Sequence, residues 1–196
     1  MSHIRYIVGI DEAGRAPLAG AVAVGAVRIP TDFSWRAWEG VRDSKKLTAL
    51  ARERWFGRLA AAEKEGLLSY TVAFSSAARI DERGIVASVR DAVRRTLLSL
   101  EADPLQTLVL LDGLLAAPSR YPFQKTIVRG DDLEPVISLA SIAAKVARDR
   151  RMIRLAARYP KYGFEVHKGY PTKVHYERLA EFGPCAIHRR SFLSSS

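Results

Sequence analysis

The chain has 196 residues, 48% of them hydrophobic and 27% charged, the composition of a globular domain large enough for one full core. No apolar run reaches the roughly 18 residues of a membrane span. The N-terminus lacks the basic-then-apolar pattern of a signal peptide, and the single cysteine, Cys185, excludes an internal disulfide or a cysteine-rich zinc site. We therefore expect a cytoplasmic protein with no membrane partner. Lys and Arg outnumber Asp and Glu by 31 to 21, a formal charge of +10. Such a balance points to a polyanionic partner, nucleic acid first, with a solvated basic surface as the alternative.

Residues 4–10 and 21–29 are predicted as two strands, the second apolar on both faces as in a central strand. The first ends in Asp11-Glu12, followed by Ala13-Gly14-Arg15-Ala16-Pro17. Acids at the end of a buried strand are costly unless a cation meets them; an Asp capping the next turn is the alternative. Trp35 and Trp38 read as packing residues. Asp43-Ser44-Lys45-Lys46-Leu47-Thr48 sets two lysines at the entrance of a helix predicted over residues 48–64, with Thr48 as N-cap. Lysines beside the open N–H groups of a helix suit phosphate, or they form a solvated pair.

A strand is predicted over residues 68–74 and a helical region begins at 77–83. A helix over 85–100 carries an apolar stripe at 85, 86, 89, 93, 97 and 100. A buried strand over 107–111 ends in Asp112-Gly113, and a short strand over 124–128 ends in Arg129-Gly130-Asp131-Asp132. The longest helix, 135–157, has Pro135 in its first turn. Its small, apolar first half suits close packing on a sheet, and its second half is basic, with Lys145, Arg148, Arg150, Arg151 and Arg154. A last helix is predicted over 173–181, broken by Gly183-Pro184, and the polar end past Phe192 should fray. We expect one domain over residues 1–196, with about 160–192 as a helical C-terminal extension.

Three strand ends thus deliver four acids: Asp11 and Glu12, Asp112, and Asp131. In an α/β sheet such ends gather into one site. Four converging carboxylates cannot all ionise alone, and two divalent ions would balance them. Oxygen-only ligands favour Mg²⁺ or Mn²⁺, and two such ions form the clamp used for in-line displacement at phosphate. The residues alone therefore suggest a metal-dependent phosphodiesterase.

Seven segments in order resemble the bacterial ribonuclease HII family, the type 2 ribonucleases H. They are Gly9-Ile10-Asp11-Glu12-Ala13-Gly14-Arg15, Asp43-Ser44-Lys45-Lys46-Leu47-Thr48, Leu111-Asp112-Gly113, Arg129-Gly130-Asp131, the run from Ala140-Ser141-Ile142 to Arg148-Asp149, His167-Lys168-Gly169-Tyr170-Pro171-Thr172, and His188-Arg189-Arg190-Ser191-Phe192. The resemblance implies an α/β ribonuclease H-like fold, a mixed β-sheet flanked by helices with a helical C-terminal part. It implies endonucleolytic cutting of the RNA strand of RNA–DNA hybrids and incision 5′ of single ribonucleotides in duplex DNA. The chemistry implied is two-metal-ion hydrolysis with Mg²⁺ or Mn²⁺, leaving 3′-hydroxyl and 5′-phosphate ends. We expect a monomer. Asp11, Glu12, Asp112 and Asp131 would be the catalytic, metal-binding carboxylates; Asp131 is chosen over Asp132 and Asp149 because it follows a basic-Gly pair, and Asp149 is expected to pair with arginine neighbours.

The resemblance also assigns substrate binding. Backbone groups of Gly14, Arg15 and Ala16 would meet the ribose 2′-hydroxyl, the only group that separates RNA from DNA at one position. Tyr170 would pack on the sugar, and Ser141, Lys45, Lys46, Lys145 and Arg148 complete the set, the basic ones as phosphate contacts. Ala16 stands where the family has Gly, so a positive φ there would strain the loop and weaken ribonucleotide discrimination; a weakened nucleic-acid-binding protein of the same fold is the alternative reading, and a related two-metal deoxyribonuclease a third. Leu139 replaces a small residue and is expected to push the long helix off the sheet. Gly84 is expected to cost its helix about 1 kcal/mol relative to Ala. His188, Arg189 and Arg190 read either as nucleic-acid contacts or as a solvated tail.

Overall fold

The computed structural model describes residues 4–41 and 47–193. Five strands form one mixed sheet: β1 (Tyr6–Ala13), β2 (Val22–Pro30), β3 (Ser69–Ser75), β4 (Thr107–Asp112) and β5 (Gln124–Ile127), in the order β3-β2-β1-β4-β5. β1, β2 and β3 are antiparallel neighbours, while β4 and β5 run parallel to β1. The helices are α1 (Ala49–Lys64), α2 (Ala77–Arg83), α3 (Ile85–Ser99), α4 (Gly130–Leu133), α5 (Pro135–Arg158), α6 (Phe164–His167), α7 (Lys173–Phe182) and α8 (Arg190–Leu193). No helix among the described residues is long and apolar enough to cross a membrane.

Alternation along the strands builds one core on each face. Val8 and Ile10 of β1 join Val109 and Leu111 of β4 against Val89, Val93 and Leu97 of α3. The opposite face packs on α5 and α1 through Val27, Ile29, Leu59, Ile137, Leu139 and Ile142. Two glycines decide how closely α5 lies. A Cβ at Gly9 would stand 2.4 Å from the Val136 carbonyl oxygen, and one at Gly25 would stand 2.3 Å from that of Ala140. The helix backbone therefore rests directly on β1 and β2. Leu139 does not hold it away: its side chain is fully buried in this core, where a leucine is worth about 2–5 kcal/mol over alanine.

Several predicted boundaries shift for local reasons. Thr48 does cap α1, its hydroxyl accepting from the Ala51 N–H at 3.2 Å, and Trp38 packs in the core, stacked on Trp55. β1 continues through Asp11 and Glu12 to Ala13, because β2 pairs with it as far as Ala13↔Ala23. Gly84 does not weaken a helix. It is the hinge between α2 and α3 with φ +78°, a conformation that glycine reaches without strain. Asp131 is not carried by a strand end; after β5 the chain turns at Arg129 (φ 57°) into the short helix α4.

Candidate active site

Parallel strands end on the same edge of a sheet, and here that edge is acidic. The last registered pair of β1 and β4 is Ile10↔Leu111. One step further stand Asp11 and Asp112 on neighbouring strands. Asp11 faces the α5 side, as Gly9 does, and is only 5% exposed. Its Oδ1 accepts the Glu12 N–H at 2.7 Å. The Asp112 Oδ1 accepts the Gly130 N–H at 2.6 Å, which seats the start of α4 beside β4. Glu12 pairs with Arg15, Oε1 to Nη1, at 3.3 Å.

Burial drives the electrostatics. Asp11 is pushed up to about 7, first by loss of water and then by the charges of Asp112 and Glu12, against a stabilising hydrogen bond from Ser141. Glu12 is also raised, by burial, with Arg15 opposing. A carboxyl held half-protonated near neutral pH beside two further acids lacks a positive partner.

Asp11, Glu12 and Asp112 line a hollow of about 420 Å³, together with Gly14, Arg15, Ala16, Ser141, Lys145 and Tyr170. Nine of the residues expected from the sequence thus meet in one place. Arg52 of α1 also lines it and was missed. It lies one turn beyond the Thr48 cap and donates to the Leu47 carbonyl at 2.6 Å, so it extends the basic helix entrance already noted. Lys45 and Lys46 lie outside the described residues. A second hollow of about 360 Å³ adjoins the first, sharing Arg52, Lys145 and Tyr170 and adding Arg150 and Lys168.

Asp131 does not line the hollow; its side chain is fully buried in the first turn of α4. Among the described residues no three acid, histidine or cysteine side chains are grouped tightly enough to hold an ion as they stand. Arg148 is a correction. It is no phosphate contact, for its guanidinium is fully buried, with Nε and Nη2 donating to backbone carbonyls of Ala19, Ala21 and Lys168 and Nη1 left without a partner among the described residues. Asp149 pairs with Lys145 at 2.9 Å rather than with an arginine. His188 and Arg189 are neither solvated nor surface contacts, being 2% and 0% exposed. Ala16 is exposed and has no positive φ; the left-handed residue of this loop is Gly14, at φ +88°. The methyl group of Ala16 therefore adds no backbone strain.

Lys145 Nζ lies 5.3 Å from the centroid of the Tyr170 ring, which also covers the Arg148 guanidinium at 5.4 Å. The ring thus lies against two cations and lines the same hollow as the acids.

The family model for Ribonuclease HII matches residues 8–195. The chain is similar to the ribonuclease HII of Bordetella avium (strain 197N), with 46% identity over 186 residues, 95% of this chain and 87% of that protein. Among solved structures it is similar to the ribonuclease H2 of Pyrococcus horikoshii OT3, at 28% identity and a TM-score of 0.75, covering 95% of this chain and 93% of that one. It is also similar to a chain of the PCNA:RNase HII complex from Archaeoglobus fulgidus, at 25% identity and a TM-score of 0.73, covering 93% of each.

Proposed function

The chain belongs to the ribonuclease HII family, metal-dependent ribonucleases acting on RNA–DNA hybrids, and from that premise we propose that it also incises duplex DNA 5′ of a single embedded ribonucleotide. The observation that carries this reading is the hollow itself. Acids, a loop of small residues and a tyrosine line it together, so that one bound nucleotide could meet the carboxylates through its phosphate and the loop and ring through its sugar.

The residues present fit divalent ions. The donors are oxygen only, which suits Mg²⁺ or Mn²⁺, and the raised Asp11 and Glu12 need positive charge to ionise fully. Asp11, Glu12 and Asp112 would hold the ions, and Asp131, next to the amide that binds Asp112, is the fourth candidate. Held there, such ions would supply an activated water and charge neutralisation at the scissile phosphate, chemistry that would leave 3′-hydroxyl and 5′-phosphate ends.

The protein's own groups do the positioning. Backbone groups of Gly14, Arg15 and Ala16 bind the 2′-hydroxyl. The Tyr170 ring packs on the sugar and rejects a misplaced step. Lys145, Ser141 and Arg52, which line the hollow, meet phosphate oxygens there; such contacts fix register without reading sequence. Ala16, the feature that favoured a weakened binding protein, no longer does so, since its backbone is unstrained.

The test is incubation with Mg²⁺ or Mn²⁺ and three labelled duplexes: all-DNA, RNA–DNA hybrid, and DNA with one ribonucleotide. Cutting of the last two, 5′ of the single ribonucleotide and abolished by Asp11→Asn, is the expected result. Binding without cutting, or equal cutting of all-DNA, would overturn the reading.

A further inference from the structure

Two fully buried arginines hold the loop that follows the acids. Arg189 donates Nη2 to the Gly14 carbonyl at 2.7 Å, Nη1 to that of Arg15 at 2.8 Å, and Nε to that of Gly20 at 3.0 Å. Arg148 donates Nε to the Ala21 carbonyl at 3.0 Å, and Nη2 to those of Ala19 at 3.3 Å and Lys168 at 3.0 Å. Five of these six acceptors lie within residues 14–21.

Among the described residues neither guanidinium pairs with a carboxylate. Burying two cations near each other without a carboxylate in direct contact is expensive, and it pulls Arg189 down to about 9 through burial and the Arg148 charge, with the more distant Asp81 carboxylate opposing. Apolar residues would fill the same space at lower cost. What they would not supply is a rigid fork that grips several carbonyls at once.

The consequence follows from the peptide plane. In a trans peptide the N–H of one residue points opposite to the preceding C=O. Drawing the Gly14 and Arg15 carbonyls toward Arg189 therefore turns the N–H groups of Arg15 and Ala16 the other way. Residues 14–16 line the hollow, and among the described residues neither N–H makes a backbone hydrogen bond. Arg148 fixes the same loop from beneath: a Cβ at Gly14 would stand 1.9 Å from its Nε. Through Lys168 and the ring of Tyr170 it also ties the loop to the tyrosine turn. That joint is tightened by the Leu18 N–H donating to the Gly169 carbonyl at 2.9 Å.

We propose that Arg189 and Arg148 are positioning residues for ribonucleotide selectivity, holding the amides of Arg15 and Ala16 and the Tyr170 ring at a fixed spacing around one sugar. This rests on residues 14–16 being the groups that meet the 2′-hydroxyl. It assigns two buried side chains a part in substrate choice, although neither guanidinium is exposed to the substrate. The segment carrying Arg189 is itself pinned from outside by Asp81 of α2. Its carboxylate accepts the N–H groups of Arg190 at 2.9 Å and Ser191 at 3.0 Å, and the Ser191 hydroxyl at 2.6 Å.

The experiment compares dissociation constants for two duplexes in Ca²⁺, one all-DNA and one with a single central ribonucleotide, by fluorescence anisotropy. The wild type, Arg189→Lys, Arg148→Lys and Asp81→Asn are measured with both. The lysines keep the charge and lose the fork; Asp81 is half-buried outside the core and Asp81→Asn removes no core side chain, so it decides the matter even where a lysine variant does not fold. All-DNA affinity should stay within about twofold, while preference for the ribonucleotide duplex falls about tenfold in the lysine variants and about threefold in Asp81→Asn. Parallel weakening on both duplexes, or an unchanged preference, overturns the proposal while leaving the loop's role intact. A wild type with no preference overturns the loop's role itself, and the proposal with it.

Discussion

Ionisable groups are buried in two regions of this molecule, and the two are treated in opposite ways. At the sheet edge, Asp11 and Glu12 lose water and gain a like-charged neighbour in Asp112. In the C-terminal part, His167, His175 and His188 are buried with every ring nitrogen given a role. The Cys185 N–H donates to His188 Nδ1 at 2.9 Å, so the His188 proton sits on Nε2. It donates to His175 Nε2 at 3.0 Å, and His175 Nδ1–H then donates to the Tyr170 carbonyl at 2.9 Å. His167 completes the set, bonded to the Tyr162 carbonyl and accepting from the Gly169 N–H. Rings of Tyr162 and Phe164 close around them. One region is a finished neutral network that stabilises the fold. The other carries a surplus of like charge that a bound cation would relieve, the pattern expected of a site built for a ligand.

The two regions meet at Tyr170, and separating their roles gives the larger test. Tyr170→Ala should lower the rate on a single-ribonucleotide duplex by about ten- to a hundredfold, the range for losing one aromatic packing surface in nucleic-acid recognition. It should leave the melting temperature within about 2 °C, because the ring lies over cations and not in a core. An equal loss of stability would place Tyr170 with the histidines instead.

A smaller effect isolates the histidine network. Burial lowers His188 to about 4 and lowers His175 as well. The unfolded chain therefore binds more protons than the folded one between about pH 6.5 and 4. Stability is full above 6.5 and declines as pH falls through that window. His188→Asn should lower stability somewhat at pH 8 and flatten the acid-side decline, by about 5 °C of melting temperature across the window. A slope identical to that of the wild type would remove His188 as the cause.

The acidic edge was legible because its parts are local. Asp11 with Glu12, and Asp112, each close an apolar run that reads directly as a strand, and parallel strands bring their ends together whatever lies between. Asp131 was legible as an acid but not in its placement, since it follows a left-handed turn at Arg129 into α4, whose first amide is held by Asp112 of another strand. The roles of Arg148 and Arg189 were hidden. Their carbonyl partners lie more than a hundred residues away in most cases, and an arginine on a basic helix or near a polar terminus reads as surface. The histidines were hidden for the same reason, because their spacing becomes a network only when α6, α7 and the strand-like segment at His188, bridged to Ala19, fold onto one another.

The most direct test of the contrast is a calorimetric titration of Mn²⁺ into metal-free protein at pH 7, wild type beside Asp11→Asn. The wild type should bind Mn²⁺ and the variant should lose that binding by tenfold or more, while keeping its fold. Equal Mn²⁺ affinity in the two proteins would contradict the assignment of the acidic edge as the metal site.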